Sequence, residues 1–331
     1  MKKHIWILIW VLAGMGCNKP IPVESIEISS ESIKIRIDQY ADSSYFSAIK
    51  MMQYDRGAVY ALDVRQCDIA VLDSALQLRH TIGRSGRGPN ELLMPCAFYE
   101  RCDTTAVLDF GSRSIKRFAG EQFLSTDVLP NAVDCRFFWN DSLYYLPAVT
   151  EEHVFLTMQR HTADDTPPPH TYYGTLDRNV ETVSGALLRN NRNLHPHPTG
   201  CYAVPEVQPY VERYDSESLV LRERLDLSET EPYKNNLAFA ASKGYSEKSF
   251  YTYTSDSYLE GDRLFILCNT LGDSGGFRVN QLLEIALSPQ MHIKRIYKLP
   301  GEIYDSFCVS PTYFYAFNAI ESTIEAIRRP L

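Results

Sequence analysis

The sequence predicts an all-β fold, on three observations. Helical periodicity is scarce, and what recurs is runs of four to seven Val, Ile, Leu, Tyr and Phe broken by Asp, Asn, Gly, Ser or Pro. Tyrosine, which suits pleated half-buried surfaces, occurs 21 times. Strand–turn–strand units also return at nearly constant spacing. Leu62-Asp63 in AVYALDVRQCDIAVLDSALQLRHTIG (58–83) and Leu108-Asp109 in TAVLDFGSRSIKRFAGEQFLSTD (105–127) lie 46 residues apart. Asn269 in DRLFILCN (262–269) and Asn318 in TYFYAFN (312–318) lie 49 apart. DSLYYLPAV (141–149) and ESLVLRERLDL (217–227) are further members.

A repeat of 46–49 residues in an all-strand chain is the length of one four-stranded propeller blade. Residues 32–331 hold six such units. The prediction is therefore a six-bladed β-propeller of four-stranded blades. SIKIRI (32–37), with isoleucine at 33, 35 and 37, is predicted to complete the blade built by the C-terminal residues, so that N- and C-terminal strands pair and close the ring. Closure removes edges that would otherwise pair with other chains.

The start of the chain, MKKHIWILIWVLAGMGC, has a basic Lys2-Lys3 followed by an apolar run too short to span a bilayer, which is the pattern of an export signal. Gly16-Cys17 resembles a lipoprotein cleavage site, although Gly14 stands where leucine is usual. An ordinary secretory signal and an uncleaved anchor are the alternatives. The expected organisation is a signal over 1–16, a tether over 17–31 lipidated at Cys17, and the propeller over 32–331. The expected location is the cell envelope, at the outer membrane. A net charge of −8 and the lack of any Lys/Arg block argue against nucleic acid and a polybasic membrane patch.

Beyond Cys17 lie seven cysteines, an odd number with no CxxC pair. Cys67, Cys135, Cys268 and Cys308 read as small core residues. Cys96 and Cys102 are the pair that could bridge.

In TIGRSGRGPNELLMP (81–95), glycines permit positive φ and Pro89 fixes the backbone before a strand resumes, which gives a tight inter-blade loop. Arg84 and Arg87 beside glycines could cradle an anion, but no helix pattern follows. Gly83, Gly86, Gly88, Pro89 and Glu91 resemble the Gly-x-x-Gly-x-Gly-Pro-x-Glu element of TolB-like and NHL-like six-bladed propeller lipoproteins of Gram-negative gut bacteria. The likeness is good over 1–127, fair over 257–331 and weak between. It implies the fold and the envelope location, and little chemistry.

LGDSGGF (271–277) spells the nucleophile signature of chymotrypsin-like proteases around Ser274. No Ala-Ala-His-Cys base precedes it, Phe277 replaces the usual proline, and strand patterns flank it, so a hairpin turn is expected. His195, His197 and Cys201 in HPHPTGC are the metal-like cluster, with His170 as a fourth candidate ligand; solvated loop histidines are the plainer reading. ADDTPPPH (163–170) and NRNLHPHPTG (191–200) are expected as inter-strand loops, because proline cannot donate to a ladder. LSETEPYKNNLAFAASKGY (227–245) suits a short helix or a long connection. Asp63, Asp73 and Asp109 recur at strand ends as turn caps.

Propellers bind at the mouths of the central channel. The ligand-binding candidates are therefore the polar and aromatic loop residues Tyr172, Tyr173, His195, His197, Tyr202 and Tyr210. No catalytic constellation is complete, and neither a cofactor nor a metal is expected. The reading is a non-catalytic envelope scaffold, held to the membrane by a lipid anchor, that binds an envelope protein partner or a glycan or peptide ligand. The alternative is a propeller enzyme (a glycan lyase, lactonase or other hydrolase) acting in the channel.

Overall fold

The computed structural model describes residues 23–39, 45–130, 135–160, 169–176, 183–242, 251–271 and 276–330. Six sheets form. Blade 1 runs from Ile49 to Ile82, blade 2 from Pro95 to Val128 and blade 3 from Phe138 to Tyr173. Blade 4 runs from Arg192 to Asp226 and blade 5 from Thr254 to Lys298. In each, four successive antiparallel strands progress from the ring axis outward. Blade 6 takes three strands from Tyr304 to Arg328, and its outer strand is Ile33–Ile37, with Ile35 opposite Ala326 and Ile37 opposite Ile324. The closure expected from the isoleucine pattern is therefore the one that forms. The innermost strands pack in cyclic order, and 304–309 meets 49–55 to complete the circle.

Within the stretch expected as tether, Glu24–Glu27 forms a strand that adds in parallel to the outer edge of blade 5, along Arg295–Lys298. The expected signal and Cys17 lie outside the described residues. No helix among the described residues is long and apolar enough to cross a membrane.

The 46-residue spacing has a physical cause. Asp63 ends the second strand of blade 1, and its carboxylate accepts the Ser47 N–H at 2.8 Å and the Arg65 N–H at 3.0 Å. Asp109 does the same in blade 2, accepting the N–H groups of Leu93 at 3.1 Å and Met94 at 2.8 Å. Each aspartate thus fastens the chain entering its blade to the chain leaving the second strand, and both are fully buried. In blade 5, Asn269 reaches back to the Thr252 carbonyl at 2.6 Å. Asp73 caps its turn through the N–H groups of Ala75 and Gln77.

The glycine loop is structural. Glu91 accepts the Gly88 N–H at 2.7 Å and pairs with Arg84 at 3.1 Å, and the Gly88 bond leads in lowering its pKa. Lys116 holds the carbonyls of Gly88 and Glu91. Gly86 sits at φ +152°, and a Cβ there would lie 2.2 Å from the Glu91 carboxylate.

One expectation changes and two open alternatives are decided. Residues 191–200 are not a loop, since Arg192–His197 is the innermost strand of blade 4 and pairs with Gly200–Pro205. An innermost strand has a neighbour on one side only, so Pro196 can present its missing donor to the channel without breaking a ladder. Cys96 and Cys102 stay unbridged, because Cys96 stands near the start of the extended strand Pro95–Arg101 and Cys102 just past its end; none of the seven described cysteines is in a disulfide. Between 227 and 245 the helix forms, over Glu231–Ser242. Ser274 and most of 163–170 lie outside the described residues, but the strands flanking Ser274 pair as a hairpin, Leu271 opposite Phe277.

Candidate functional site

Each innermost strand has one edge without a β partner, turned toward the axis, and buried backbone groups there need other partners. Polar links join every neighbouring pair of blades around the axis. Gln53 and Glu100 exchange two hydrogen bonds of 2.8 and 2.9 Å between blades 1 and 2. Trp139 Nε1 donates to the Tyr99 carbonyl at 3.2 Å between blades 3 and 2. Arg136 N–H donates to Asn193 Oδ1, and Leu194 N–H to the Arg136 carbonyl, both at 3.0 Å, between blades 3 and 4. His195 Nε2 and Ser257 Oγ meet at 2.8 Å between blades 4 and 5. Phe307 N–H donates to Asp256 at 3.2 Å between blades 6 and 5, and Ser306 Oγ to the Ile49 carbonyl at 2.9 Å between blades 6 and 1.

Arg136 crosses this circle. Its guanidinium grips Asp256 through two bonds of 2.6 and 2.7 Å and donates to the carbonyls of Met52 at 3.0 Å and Phe307 at 3.4 Å. Both members of the pair are buried. Burial disfavours the guanidinium's charge, but Asp256 more than offsets it and the Arg136 pKa lies above its usual value.

Above this plug, at the end of the ring where the innermost strands finish, opens a cavity of about 370 Å3. Five blades line it. Its walls are mainly aromatic and apolar (Tyr54, Phe98, Tyr99, Phe137, Leu194 and Tyr258), with Pro196 and Pro198 on one side and Asp262 at the rim. Its polar groups are largely engaged with one another. The Tyr258 hydroxyl donates to the Tyr54 carbonyl and accepts its N–H, and His197 bonds Asp262 at 2.8 Å. Burial pushes Tyr99 up to about 12 and Tyr258 still further up, so both stay protonated.

His195 is the exception. It is 5% exposed, and burial, helped by the Arg136 charge, lowers its pKa to about 3. The ring is therefore neutral. With Nε2 occupied by Ser257, Nδ1 has no partner among the described residues and offers one hydrogen bond, as donor or acceptor according to tautomer. Ser257 is fully buried, Asp256 is held by Arg136, and the imidazole binds protons too weakly to serve as a base.

Of the six ligand-binding candidates, the structure brings only His195 and His197 to this cavity. Tyr172 and Tyr173 lie on the outermost strand of blade 3 and line a separate hollow with Glu212, Tyr214 and Arg224. Tyr202 is core, with the His197 ring edge-on to it at 5.5 Å, and Tyr210 lies under the Arg224 guanidinium at 4.4 Å. The His195–His197–Cys201 metal set is not assembled. Strand alternation turns Cys201, opposite Pro196, to the other face of blade 4, where it packs with Phe138 and Leu194. No group of three metal-ligating side chains exists among the described residues. Sequence reasoning missed Arg136, Asp256, Tyr54, Tyr99 and Tyr258. A charge embedded in CRFFW (135–139) was the available signal for the first.

No family model and no curated protein matches this sequence. Solved structures do resemble it. A Bacteroides fragilis protein described as exported is 13% identical with a TM-score of 0.56, over 89% of this chain and 88% of that one. A DUF4221 family member from Bacteroides vulgatus is 10% identical with a TM-score of 0.51, over 89% and 95%. A catalytically inactive virginiamycin B lyase of Staphylococcus aureus, determined with quinupristin, is 8% identical with a TM-score of 0.51, over 89% and 98%. At these identities the likeness is one of fold.

Two predictions follow from the axial network. Arg136→Met leaves Asp256 charged and buried without its partner, and should cost about 3–5 kcal/mol by denaturant midpoint, with part of the loss recovered in Arg136→Met/Asp256→Asn. The His195 pKa is depressed in the folded state, so below about pH 6.5 the unfolded chain takes up a proton that the folded chain refuses. Wild type should therefore lose stability relative to His195→Phe by about 1.4 kcal/mol per pH unit between roughly pH 6 and 4. Melting curves of both proteins across that range measure it.

Proposed function

We propose that this chain is an exported cell-envelope lipoprotein whose propeller binds, without transforming, an uncharged ring-bearing ligand in the axial cavity. The observation that carries the reading is the His195 imidazole, neutral and nine-tenths buried, with one ring nitrogen left for a ligand in an otherwise aromatic, internally satisfied cavity. Such a composition, apolar walls with few placed polar groups, is that of small-molecule sites in general. An anionic ligand would lose its hydration without meeting a free cation, because Arg136 is held by Asp256, and the Asp262 carboxylate at the rim is already bonded to His197. The enzyme alternative draws on the convergence of His195, Ser257 and Asp256 in the channel; the protonation and burial of those groups speak for binding instead.

A thermal-shift screen of uncharged ring compounds (monosaccharides, nucleobases, indoles) tests the reading. Hits should bind His195→Phe about tenfold more weakly, the loss of one hydrogen bond in a buried site, while the variant keeps its fold. Hits indifferent to that change would place the ligand elsewhere.

The envelope assignment is supported by the Lys2-Lys3 start and apolar run ending at Gly16-Cys17. Mass spectrometry of the membrane fraction should find an acylated N-terminal Cys17, and Cys17→Ser should release the protein from the membrane. An unmodified Cys17 in a soluble product would remove the anchor from the proposal.

A further inference from the structure

The axial cavity has a neighbour at the same end of the ring. A second cavity, of about 400 Å3, is lined by Trp139, Phe138, Tyr145, Asn140, Arg101 and Ser216. Tyr99 and residues 196–198 line both, so the two share one wall. The charge in the second cavity is also answered, since Arg101 pairs with Asp141 at 2.6 Å. Each cavity stands near the small end of ligand pockets, and together they reach the middle of that range.

We infer that the two cavities are subsites of one groove, and that its ligand is an uncharged oligosaccharide whose successive sugars straddle the wall formed by Tyr99 and the 196–198 hairpin. The inference rests on the axial cavity being a ligand site and adds the ligand's class and length. A sugar ring has an apolar face and a rim of hydroxyls that rotate to donate or accept, and carries no charge. Aromatic side chains line both cavities, Tyr54, Tyr99 and Tyr258 the axial one and Phe138, Trp139 and Tyr145 the outer one, and supply apolar surface for those faces. His195, Asn140 and Asp262 are side chains that can meet hydroxyls. A peptide is the poorer fit. It would bring main-chain carbonyls that need N–H donors, and the shared wall is half proline, with no N–H at Pro196 or Pro198.

Trp139 makes the outer subsite observable, because the other two tryptophans, Trp6 and Trp10, precede Cys17. The chain processed at Cys17 is titrated with neutral gluco-oligosaccharides of one to six units, α- and β-linked, by calorimetry and by Trp139 emission. Affinity should rise at least tenfold from monosaccharide to a spanning oligomer, with Trp139 emission shifting only for the longer members. Ser216→Phe, an exposed position lining the outer cavity, should return the hexamer to monosaccharide affinity and leave the monosaccharide unchanged. A hexamer that binds no tighter than the monosaccharide overturns the two-subsite groove while the axial site stands. Tight binding of a proline-rich or aromatic peptide in place of every sugar overturns the ligand class. If instead a different uncharged ring compound binds in a His195-dependent way and no sugar does, the oligosaccharide falls and the axial reading survives. If no ligand depends on His195, both fall.

Discussion

A propeller's central difficulty is the free edge of its innermost strands. Outer strands spend their backbone groups on neighbours within the blade, whereas six inner edges converge on an axis from which water is partly excluded. In this chain the difficulty is greatest at blade 3, whose innermost strand is only Phe138–Trp139, while the other five have six or seven residues. Arg136, just before that short strand, makes good the missing wall. Its guanidinium reaches carbonyls of blades 1 and 6 that no strand could reach, and Asp256 supplies the charge that lets it stay there. The ion pair is thus less a source of net stability than a way of satisfying the axis, since taking two charges out of water offsets much of what their attraction returns.

The cavity is a consequence of the same arrangement. Because the plug consumes the charge at the axis, what remains above it is aromatic surface, the His195 imidazole and, toward the rim, His197 bonded to Asp262. A histidine in that position cannot work as a sensor near neutral pH; burial and the adjacent guanidinium keep it uncharged throughout the physiological range. Its ring serves two purposes at once. Nε2 links blades 4 and 5 through Ser257, and that bond fixes the plane of the ring, Nδ1 being the atom that the proposed ligand would meet. On the proposed reading stability and recognition are coupled in one side chain, which is why a variant at 195 has to be read by affinity and melting temperature together.

Periodic features of the fold were legible in the sequence because they rest on local chemistry. Asp63 and Asp109 stand 46 residues apart because each fastens the entrance of its blade to the same backbone position, sixteen residues upstream. Isoleucines at 33, 35 and 37 alternate because that strand lies half-buried at the rim of blade 6. Depth along a blade was not legible. Tyr172 and Tyr173 look as suitable for a site as Tyr54 and Tyr99, yet the former lie on a fourth strand and the latter on first strands. HPHP reads as a loop by its prolines, and only the free inner edge of the ring makes it a strand. Arg136 and Asp256 are 120 residues apart in the chain, so their meeting at the axis follows from ring closure alone.

The way the chain enters the ring bears on access to the site. Glu24–Glu27 runs along the outer edge of blade 5, and after a short turn Ile33–Ile37 takes the outer edge of blade 6. The described chain therefore begins at the rim, outside all four strands of blade 5, and is held there by two consecutive strand pairings before any blade of its own begins. A pull on the N-terminal side acts first on the added strand at blade 5, and must strip it before it reaches the strand that closes the ring. An attachment at that point would load the periphery of blades 5 and 6 and leave the axial mouth, framed by the hairpins of blades 1, 2, 4 and 5, clear for a ligand.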